Sequence, residues 1–255
     1  MSVDLIALRT LFAKEVRRFS KVWLQTVLSP LVTTSLYFVV FGVALGSRLK
    51  TVGDTPYMAY VVPGLMMLAM VNAAFLNASS SLFQAKIHGT YVDLMVAPIG
   101  AVELILAYVG ASVLRASTVG FAVWLVAALF IGPRLHSVGW TLFFGAVVSA
   151  AFALLGLLAA LWSRKFDHLA ILPNFVLTPL TFLGGVFYSI DMLPEPWSTV
   201  SRLNPILYTV NGLRFGLLGV SDIPVLPAAL AVTLLLLVLG SVAAVVLERG
   251  IGLRT

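Results

Sequence analysis

Residues 224–247 read PVLPAALAVTLLLLVLGSVAAVVL, an apolar run without a single charged side chain. About 20 such residues in a helix cross the ~30 Å hydrocarbon core of a bilayer, whereas a core helix of a water-soluble protein carries a polar stripe. The run therefore predicts a transmembrane helix and decides the fold class, an all-α integral membrane protein.

The rest of the chain has the same character. Of its 255 residues, 60% are hydrophobic and 10% are charged, and the mean hydropathy is +1.06; water-soluble domains are about half apolar and a quarter charged. Six transmembrane helices are predicted, at residues 24–46, 57–83, 101–131, 137–162, 168–188 and 224–247. The prolines and asparagines inside them favour packing or kinks over a binding site: Pro30, Pro63, Asn72, Asn77, Pro173 and Pro179.

Residues 1–22 predict an amphipathic interfacial helix. The apolar residues Leu5, Leu8, Phe12, Val16, Phe19 and Trp23 share one face of a helical wheel, and the basic residues Lys14, Arg17, Arg18 and Lys21 lie opposite. A basic face suits the anionic headgroups of the cytoplasmic leaflet. The helix is either a topogenic anchor or a docking element for a cytosolic partner.

Lysine and arginine residues predict the orientation, because cytoplasmic loops are enriched in them. With the N-terminus inside, cytoplasmic segments hold ten of the sixteen basic residues: Arg9, Lys14, Arg17, Arg18, Lys21, Lys86, Arg164, Lys165, Arg249 and Arg254. Six spans then return the C-terminus to the cytoplasm. Basic residues beside spans also explain the net charge of +6 without nucleic acid as a partner.

Two connections between spans contain further predicted helices. Residues 84–98 favour a cytoplasmic coupling helix whose Leu94 and Met95, near Lys86, His88 and Asp93, fit a groove of a partner protein; an interfacial linker is the alternative. Residues 189–223 predict two short re-entrant or interfacial helices on the extracytoplasmic face, because Asn204, Asn211 and Arg214 interrupt the apolar run there.

The motifs of catalysis and nucleotide binding are missing from the sequence. It has no G-x-x-x-x-G-K-[ST] loop, no H-E-x-x-H and no cysteine, so no catalytic, cofactor-binding or metal-binding residue is predicted in this chain. Any ATP must act through a partner. Acidic residues are nearly absent from the spans, which disfavours ion-coupled transport.

Arg115 is the basic residue inside a predicted span, and two interpretations stay open for it. It is either a structural arginine bonded to a neighbouring helix or a lining residue that attracts anionic headgroups. Aromatic residues at the predicted outer ends of spans are interpreted as packing or as the lining of an apolar substrate pathway: Tyr37, Phe41, Phe182, Phe187 and Tyr188.

An ordered set of segments resembles the ABC-2 type transporter permease family, and within it the YadH-like membrane subunits, across essentially the whole chain. The segments are AKEVRRF (13–19), VPGL (62–65), LMVAP (94–98), FVLTPLTFLGGVFY (175–188), LNPI (203–206) and GLRFG (212–216). The order of these segments is more specific than any one of them.

The resemblance implies a permease homodimer in the bacterial inner membrane, with two separate ATPase subunits that bind ATP and Mg²⁺. It implies a single ABC-2 type transmembrane domain over 1–255, with spans one, two and five lining the conduit and span five at the dimer interface. The ATPase-docking residues it implies are Lys14, Arg17, Arg18, Lys86, His88, Thr90, Asp93, Leu94 and Met95. The segment Lys86-Ile87-His88-Gly89-Thr90 departs from the Glu-rich turn of many family members.

The expected function is export of an amphiphilic or lipid-linked substrate from the cytoplasm or inner leaflet, by ATP hydrolysis in the partner chain. The alternatives are an ion-coupled secondary carrier and a non-transporting membrane module that recruits an ATPase. The residues do not identify the substrate.

Overall fold

The computed structural model of the protein describes residues 4–40, 51–97 and 99–250. Their backbone is mostly helical, apart from loops and a hairpin between Thr51–Val52 and Thr55–Pro56. In chain order the helices are α1 (Leu5–Ser20), α2 (Trp23–Val39), α3 (Tyr57–Ile87), α4 (Tyr91–Val96), α5 (Ala101–Ile131), α6 (Val138–Trp162), α7 (His168–Leu172), α8 (Thr178–Phe182), α9 (Trp197–Arg202), α10 (Pro205–Leu218) and α11 (Val225–Glu248). A π-helical turn, Pro173–Leu177, joins α7 to α8, and a 3-10 turn, Ile190–Met192, precedes α9.

Four helices, α3, α5, α6 and α11, are long and apolar enough to cross a membrane. At 1.5 Å per residue even the shortest of them measures about 36 Å, more than the ~30 Å hydrocarbon core. They coincide with the predicted spans 57–83, 101–131, 137–162 and 224–247, which are confirmed as helices of spanning length.

Helix α3 is the central element of the bundle. It packs against α5, α6 and α10, and its residues Ala74, Phe75 and Ala78 have no exposed surface at all. Small residues let the neighbouring backbones approach closely, which is how membrane helices gain packing energy in the absence of a hydrophobic drive between them. The other long helices are therefore arranged around α3.

Helices α1 and α2 meet at a bend of 60°. The bend lies between Ser20 and Trp23, where the sequence predicts that an interfacial helix ends and the first span begins. Asp4 caps α1 by accepting hydrogen bonds from the backbone N–H groups of Ile6 and Ala7. Residues 1–3 of the predicted interfacial helix and 41–46 of the predicted first span lie outside the described residues.

The buried face of α1 differs from the predicted apolar face. Leu11, Glu15 and Phe19 are buried, whereas Leu5 is 73% exposed. The helical wheel treats every charged residue as solvent-facing, and it misses Glu15 because this carboxylate has partners inside the bundle. The helix is thus turned so that a polar contact, flanked by apolar residues, faces the long helices.

The predicted span over 168–188 is shorter than expected, since the continuous helical backbone ends at Phe182. Pro173 and Pro179 each lack an N–H donor, and the α-helical hydrogen-bond pattern is interrupted by the π turn Pro173–Leu177. Gly185 then adopts a positive φ of 70°, which ends the run. The 15 residues His168–Phe182 measure about 22 Å along a helix, less than the ~30 Å hydrocarbon core.

The predicted count of six full-length spans is therefore not confirmed by the described residues. The described part of the chain holds four helices of spanning length, or five if the bent pair α1–α2 forms one span. Short helices do occupy residues 189–223, and α10 packs against α3, α6 and α11. The re-entrant, extracytoplasmic placement of this segment stays a prediction.

Close approach of α6 to α3 makes Gly156 sensitive to substitution. A Cβ atom on Gly156 would lie 2.5 Å from the Phe75 carbonyl oxygen, a backbone atom that cannot move alone. We expect Gly156→Ala to lower the free energy of unfolding by about 1 to 3 kcal/mol through overpacking. Thermal unfolding of the purified protein measures the effect.

Gly139→Ala in the same helix is the matched control, because its Cβ would meet nothing within 4 Å. We expect no loss of thermal stability for this variant. Equal stability of the two variants would contradict the close packing of α6 on α3.

Candidate functional site

A cavity of about 680 Å³ lies between α2, α3 and α8. Its walls include the polar side of α2, one side of α3, Arg115 from α5, and α8, which follows the π turn. The cavity is lined by the side chains of Arg18, Gln25, Thr26, Ser29, Thr33, Thr34, Tyr37, Asn72, Ser80, Arg115, Thr178, Thr181, Phe182 and Phe187.

The α2 wall of the cavity is polar. Residues four apart on a helix share one face, and Gln25, Ser29, Thr33 and Tyr37 follow this spacing; all four line the cavity. The Thr26 hydroxyl beside them is buried and has no hydrogen-bond partner among the described residues. In an otherwise apolar helix, this face offers hydroxyl and amide groups to a polar ligand.

Aromatic side chains form the other end of the cavity. The ring of Phe187 lies 6.0 Å from Tyr37 in an edge-on arrangement and 5.9 Å from Phe182 in a stacked one. The Tyr57 hydroxyl donates to the Phe187 carbonyl at 3.1 Å and so fixes this backbone against α3. Tyr37, Phe182 and Phe187, three of the five predicted pathway residues, therefore lie together.

The remaining predicted pathway residues are placed differently. Tyr188 does not line the cavity; its hydroxyl donates to the Phe182 carbonyl at 2.8 Å, which supports the aromatic end from behind. Phe41 lies outside the described residues. The substrate-pathway role of all five residues stays a prediction.

A buried polar cluster, here called the Arg18 cluster, adjoins the opposite end of the cavity. It consists of Glu15, Arg18, Asn77, Ser81, Ser112 and Arg115 from α1, α3 and α5.

Glu15, with no exposed surface, accepts hydrogen bonds from Arg18 Nε at 3.1 Å and from the Ser81 hydroxyl at 2.6 Å. Arg18 Nη2 also donates to the carbonyl and side-chain oxygens of Asn77, at 3.0 and 2.9 Å. The cluster therefore joins the N-terminal helix to the central helix.

Arg115 completes the Arg18 cluster. Its Nη1 donates to Asn77 Oδ1 at 3.2 Å, and Asn77 Nδ2 donates to the Ser112 hydroxyl at 2.9 Å. Both alternatives for this residue thus find support: Arg115 bonds to a neighbouring helix, and it also lines the cavity. A buried charge without such bonds would be strongly unfavourable.

A second buried cluster, the Arg214 cluster, lies toward the other end of α3. It consists of Tyr60, Gly185, Ser189, Asn211, Arg214 and Asp222.

Arg214 has no exposed surface, and it lies 3.6 Å from an Asp222 oxygen and 3.8 Å above the centre of the Tyr60 ring. It also donates to the Gly185 carbonyl at 2.6 Å. These contacts fasten α10 and the loop after α8 to the start of α3, and they position Phe187.

The loop before α9 carries an exposed carboxylate. Glu195 accepts hydrogen bonds from the hydroxyls of Ser198 and, at 2.9 Å, Thr199. The bond from Ser198 is the main cause that lowers the pKa of Glu195 below its ordinary value. The ionised carboxylate thus stabilises the N-terminus of α9, where negative charge is favourable.

The predicted docking residues are spread over α1, the end of α3, the turn that follows it and α4. Lys14 and Arg17 are exposed on α1. Lys86 donates to the carbonyls of Leu161 and Ser163 at 3.1 and 3.0 Å, so its ammonium group holds the C-terminal end of α6 to the end of α3.

The other docking residues follow α3. His88 bonds to the Gln84 carbonyl at 2.8 Å and the Thr90 hydroxyl donates to the Ala85 carbonyl at 3.4 Å. Asp93, Leu94 and Met95 belong to α4, and their side chains, like residue Pro98, lie outside the described part of the structure. Docking stays a prediction.

Sequence reasoning missed the partners of the buried charges. The stretch around Glu15 is interpreted through its basic residues, and Arg214 is assigned to the re-entrant or interfacial helices of 189–223 without a partner. The signal for Arg214 was available, because an arginine within the apolar run Ile206 to Leu218 requires an internal partner. In the residues that the structure describes, no three His, Asp or Glu side chains are arranged to hold a metal ion.

Similar proteins are found along most of the chain. Residues 6–218 match the family model described as ABC-2 type transporter. The chain is 39% identical to the inner membrane transport permease YadH of Escherichia coli (strain K12) over 253 residues, 98% of each chain. It is 24% identical to nodulation protein J of Rhizobium leguminosarum bv. trifolii over 203 residues, 79% of this chain and 77% of the relative. It is 27% identical to nodulation protein J of Sinorhizobium fredii (strain NBRC 101917 / NGR234) over 184 residues, 71% and 69%.

The ion pair of the Arg214 cluster is expected to be essential for stability. Asp222→Asn keeps the size of the side chain but leaves the buried Arg214 cation without its counter-charge. We expect a loss of about 3 to 5 kcal/mol in the free energy of unfolding, since breaking a buried pair leaves an uncompensated charge. Chemical or thermal unfolding in detergent measures it.

Asp191→Asn removes the same charge from an exposed position of the neighbouring loop and serves as the control. If Asp222→Asn were as stable as the control, the Arg214–Asp222 ion pair would not make the proposed contribution to the free energy of unfolding.

Proposed function

Since this chain belongs to the ABC-2 type transporter family, as the resemblance of its motifs indicated, we propose that it is the membrane subunit of an ABC exporter. The chain is a multi-pass permease component of an ABC transporter in the bacterial inner membrane, and such a component is not itself an ATPase. Export of an amphiphilic or lipid-linked substrate, with ATP and Mg²⁺ bound by a separate subunit, is the finer proposal.

The observation that carries the proposal is the composition of the cavity. A purely apolar solute would need no hydroxyl groups in its path, and a small ion would need no aromatic end. The cavity has both, with Ser29 and Thr33 toward one end and Phe182 and Phe187 at the other. Such a lining supports a substrate with a polar head and an apolar body.

The path would run between the first, second and fifth predicted spans. Helix α2 and the α7–α8 segment flank the cavity, and both also expose apolar side chains on their other faces, Val32 and Leu36 on one and Phe175 and Val176 on the other. Lipid chains or a second copy of the permease would cover these faces. In the proposed homodimer the segment 168–188 contributes to the interface.

The Arg18 cluster supports the proposed coupling to an ATPase. A partner docked on α1 and on the segment 84–98 would contact two elements that are joined to α3 by hydrogen bonds. Movement of α1 would therefore shift Asn77 and, through it, Arg115 at the wall of the cavity. Nucleotide-driven motion would reach the substrate path through these bonds.

Co-purification and ATP hydrolysis test the proposal. The tagged permease is co-expressed with candidate ABC ATPase subunits from the same genome, and hydrolysis is measured in lipid nanodiscs with and without it. We expect a stable complex with permease-dependent hydrolysis, and we expect Leu94→Asp combined with Met95→Asp to abolish co-purification, because charged groups do not fit an apolar groove.

Leu203→Asp, which replaces an exposed leucine before α10, is the matched control and should leave the complex intact. Unchanged co-purification of the Leu94, Met95 variant would refute the docking site. A folded permease for which no ATPase partner is found would favour the carrier or the recruiting module, and transport that stops when the proton gradient is dissipated at constant ATP would establish the carrier.

The proposed orientation places both termini in the cytoplasm and residues 189–223 outside. The chain contains no cysteine, so single-cysteine variants report on one position each. We expect Thr199→Cys, on exposed α9, to react with a membrane-impermeant maleimide added to intact spheroplasts.

Arg164→Cys, between α6 and α7, is the control for the opposite side and should react only after the membrane is opened. Reversed labelling of the two positions would overturn the orientation while leaving the fold unaffected.

A further inference from the structure

We propose that the Arg18 end of the cavity binds the anionic group of an amphiphilic molecule, such as a phosphate, sulfate or carboxylate, and that Arg115 is its principal contact. The inference rests on the proposed function, because it assigns a ligand class to the same cavity. It goes further in requiring a negative charge at one defined end.

Positive charge exceeds negative charge at this end of the cavity. Two guanidinium groups, of Arg18 and Arg115, line this end of the cavity, and Glu15 is the carboxylate within ion-pair distance of Arg18. Among the described residues Arg115 has no ion pair with any carboxylate. One positive charge in the middle of a spanning helix is thus left without a counter-charge from the described part of the chain, at a position where such a charge is costly.

The guanidinium groups of Arg18 and Arg115 share one hydrogen-bond acceptor. Both donate to the same atom, Asn77 Oδ1, at 2.9 and 3.2 Å, so two like charges are held close together. Arg115 Nε is buried and has no hydrogen-bond partner in the part of the chain that the structure describes. An anion beside the pair would relieve the repulsion and accept charge-assisted hydrogen bonds from a planar, bidentate donor.

The α2 wall of the cavity becomes less polar along its length. From Gln25 to Tyr37 the cavity wall changes from amide and hydroxyl groups to an aromatic ring over about 18 Å of helix. A free anion would use only the arginine end of this wall, whereas an amphiphile uses the whole of it. The combination therefore favours a molecule with an anionic head and an apolar body.

Native mass spectrometry of the purified permease, without an ATPase, tests the inference. The probes are phosphatidylglycerol, which is anionic, phosphatidylethanolamine, which is zwitterionic, and inorganic phosphate. We expect the wild type to bind phosphatidylglycerol about tenfold more tightly than phosphatidylethanolamine, because both carry a phosphate but the ammonium group of phosphatidylethanolamine would be repelled by the two arginines. Inorganic phosphate should not compete at millimolar concentration.

Substitutions assign the preference to Arg115. We expect Arg115→Gln to remove it and Arg115→Lys to retain part of it, since lysine keeps the charge but not the bidentate geometry. Arg164→Gln removes an exposed arginine elsewhere and should bind as the wild type does. Thermal unfolding confirms that each variant is folded.

Two results would overturn the inference: equal binding of the two lipids by the wild type, or an unchanged preference in folded Arg115→Gln. Competition by inorganic phosphate would refute the requirement for an amphiphilic ligand and would indicate a site for free anions. If Arg115→Gln does not fold, the wild-type preference and Arg115→Lys decide. None of these measurements depends on an ATPase, so the failure of this inference is distinct from a failure of the proposed function.

Discussion

A charged side chain inside an apolar bundle is stable only where the protein itself supplies its partners. Helix α3 supplies them at two positions that lie about 25 Å apart along its axis. Asn77 accepts hydrogen bonds from Arg18 and Arg115 at one position, and Tyr60 lies against Arg214 at the other. Because these arginines belong to α1, α5 and α10, the placement of three further helices depends on α3. The close contact of Gly156 with the α3 backbone adds α6 to this set.

Helix α2 and the α7–α8 segment stand outside that framework. In the described structure α2 packs mainly against α5, and the cavity occupies the space between α2 and α3. Of residues His168–Phe182, which a π turn at Pro173 interrupts, Leu169, Leu177 and Thr181 are buried and the others are partly or fully exposed. Elements with few buried contacts open at lower free energy than the core. Two walls of the cavity, α2 and the α7–α8 segment, are thus held less firmly than the third wall, α3, as the proposed substrate pathway would require if it opens and closes.

Much of the fold could be predicted from the sequence, because lipid solvation requires long apolar helices and leaves few alternatives. The predicted span 101–131 has the same bounds as α5. Hydropathy could not show that the helix after His168 ends at Phe182, since Leu183 and Val186 continue the apolar run while the positive φ of Gly185 ends the helix. Nor could it pair Arg115 with Asn77, 38 positions away in the chain, because that contact depends on how the helices pack. Three of the five predicted pathway residues do meet at one cavity, since residues at equal depth on neighbouring helices tend to be close in space.

The positions of the predicted docking elements bear on how force would reach the cavity. If an ATPase subunit binds α1 and the segment 84–98, its motion would reach α3 through two sets of hydrogen bonds. The first set joins Arg18 of α1 to Asn77. In the second set, at the end of α3, the ammonium group of Lys86 joins α3 to the end of α6 at the Leu161 and Ser163 carbonyls. Both sets of bonds are charge-assisted and partly buried, so they resist separation better than exposed ion pairs do. A displacement at the docking surface would then move α3 and α6 together as one body, and the space between α3 and the less firmly held α2 is where the change in shape would appear.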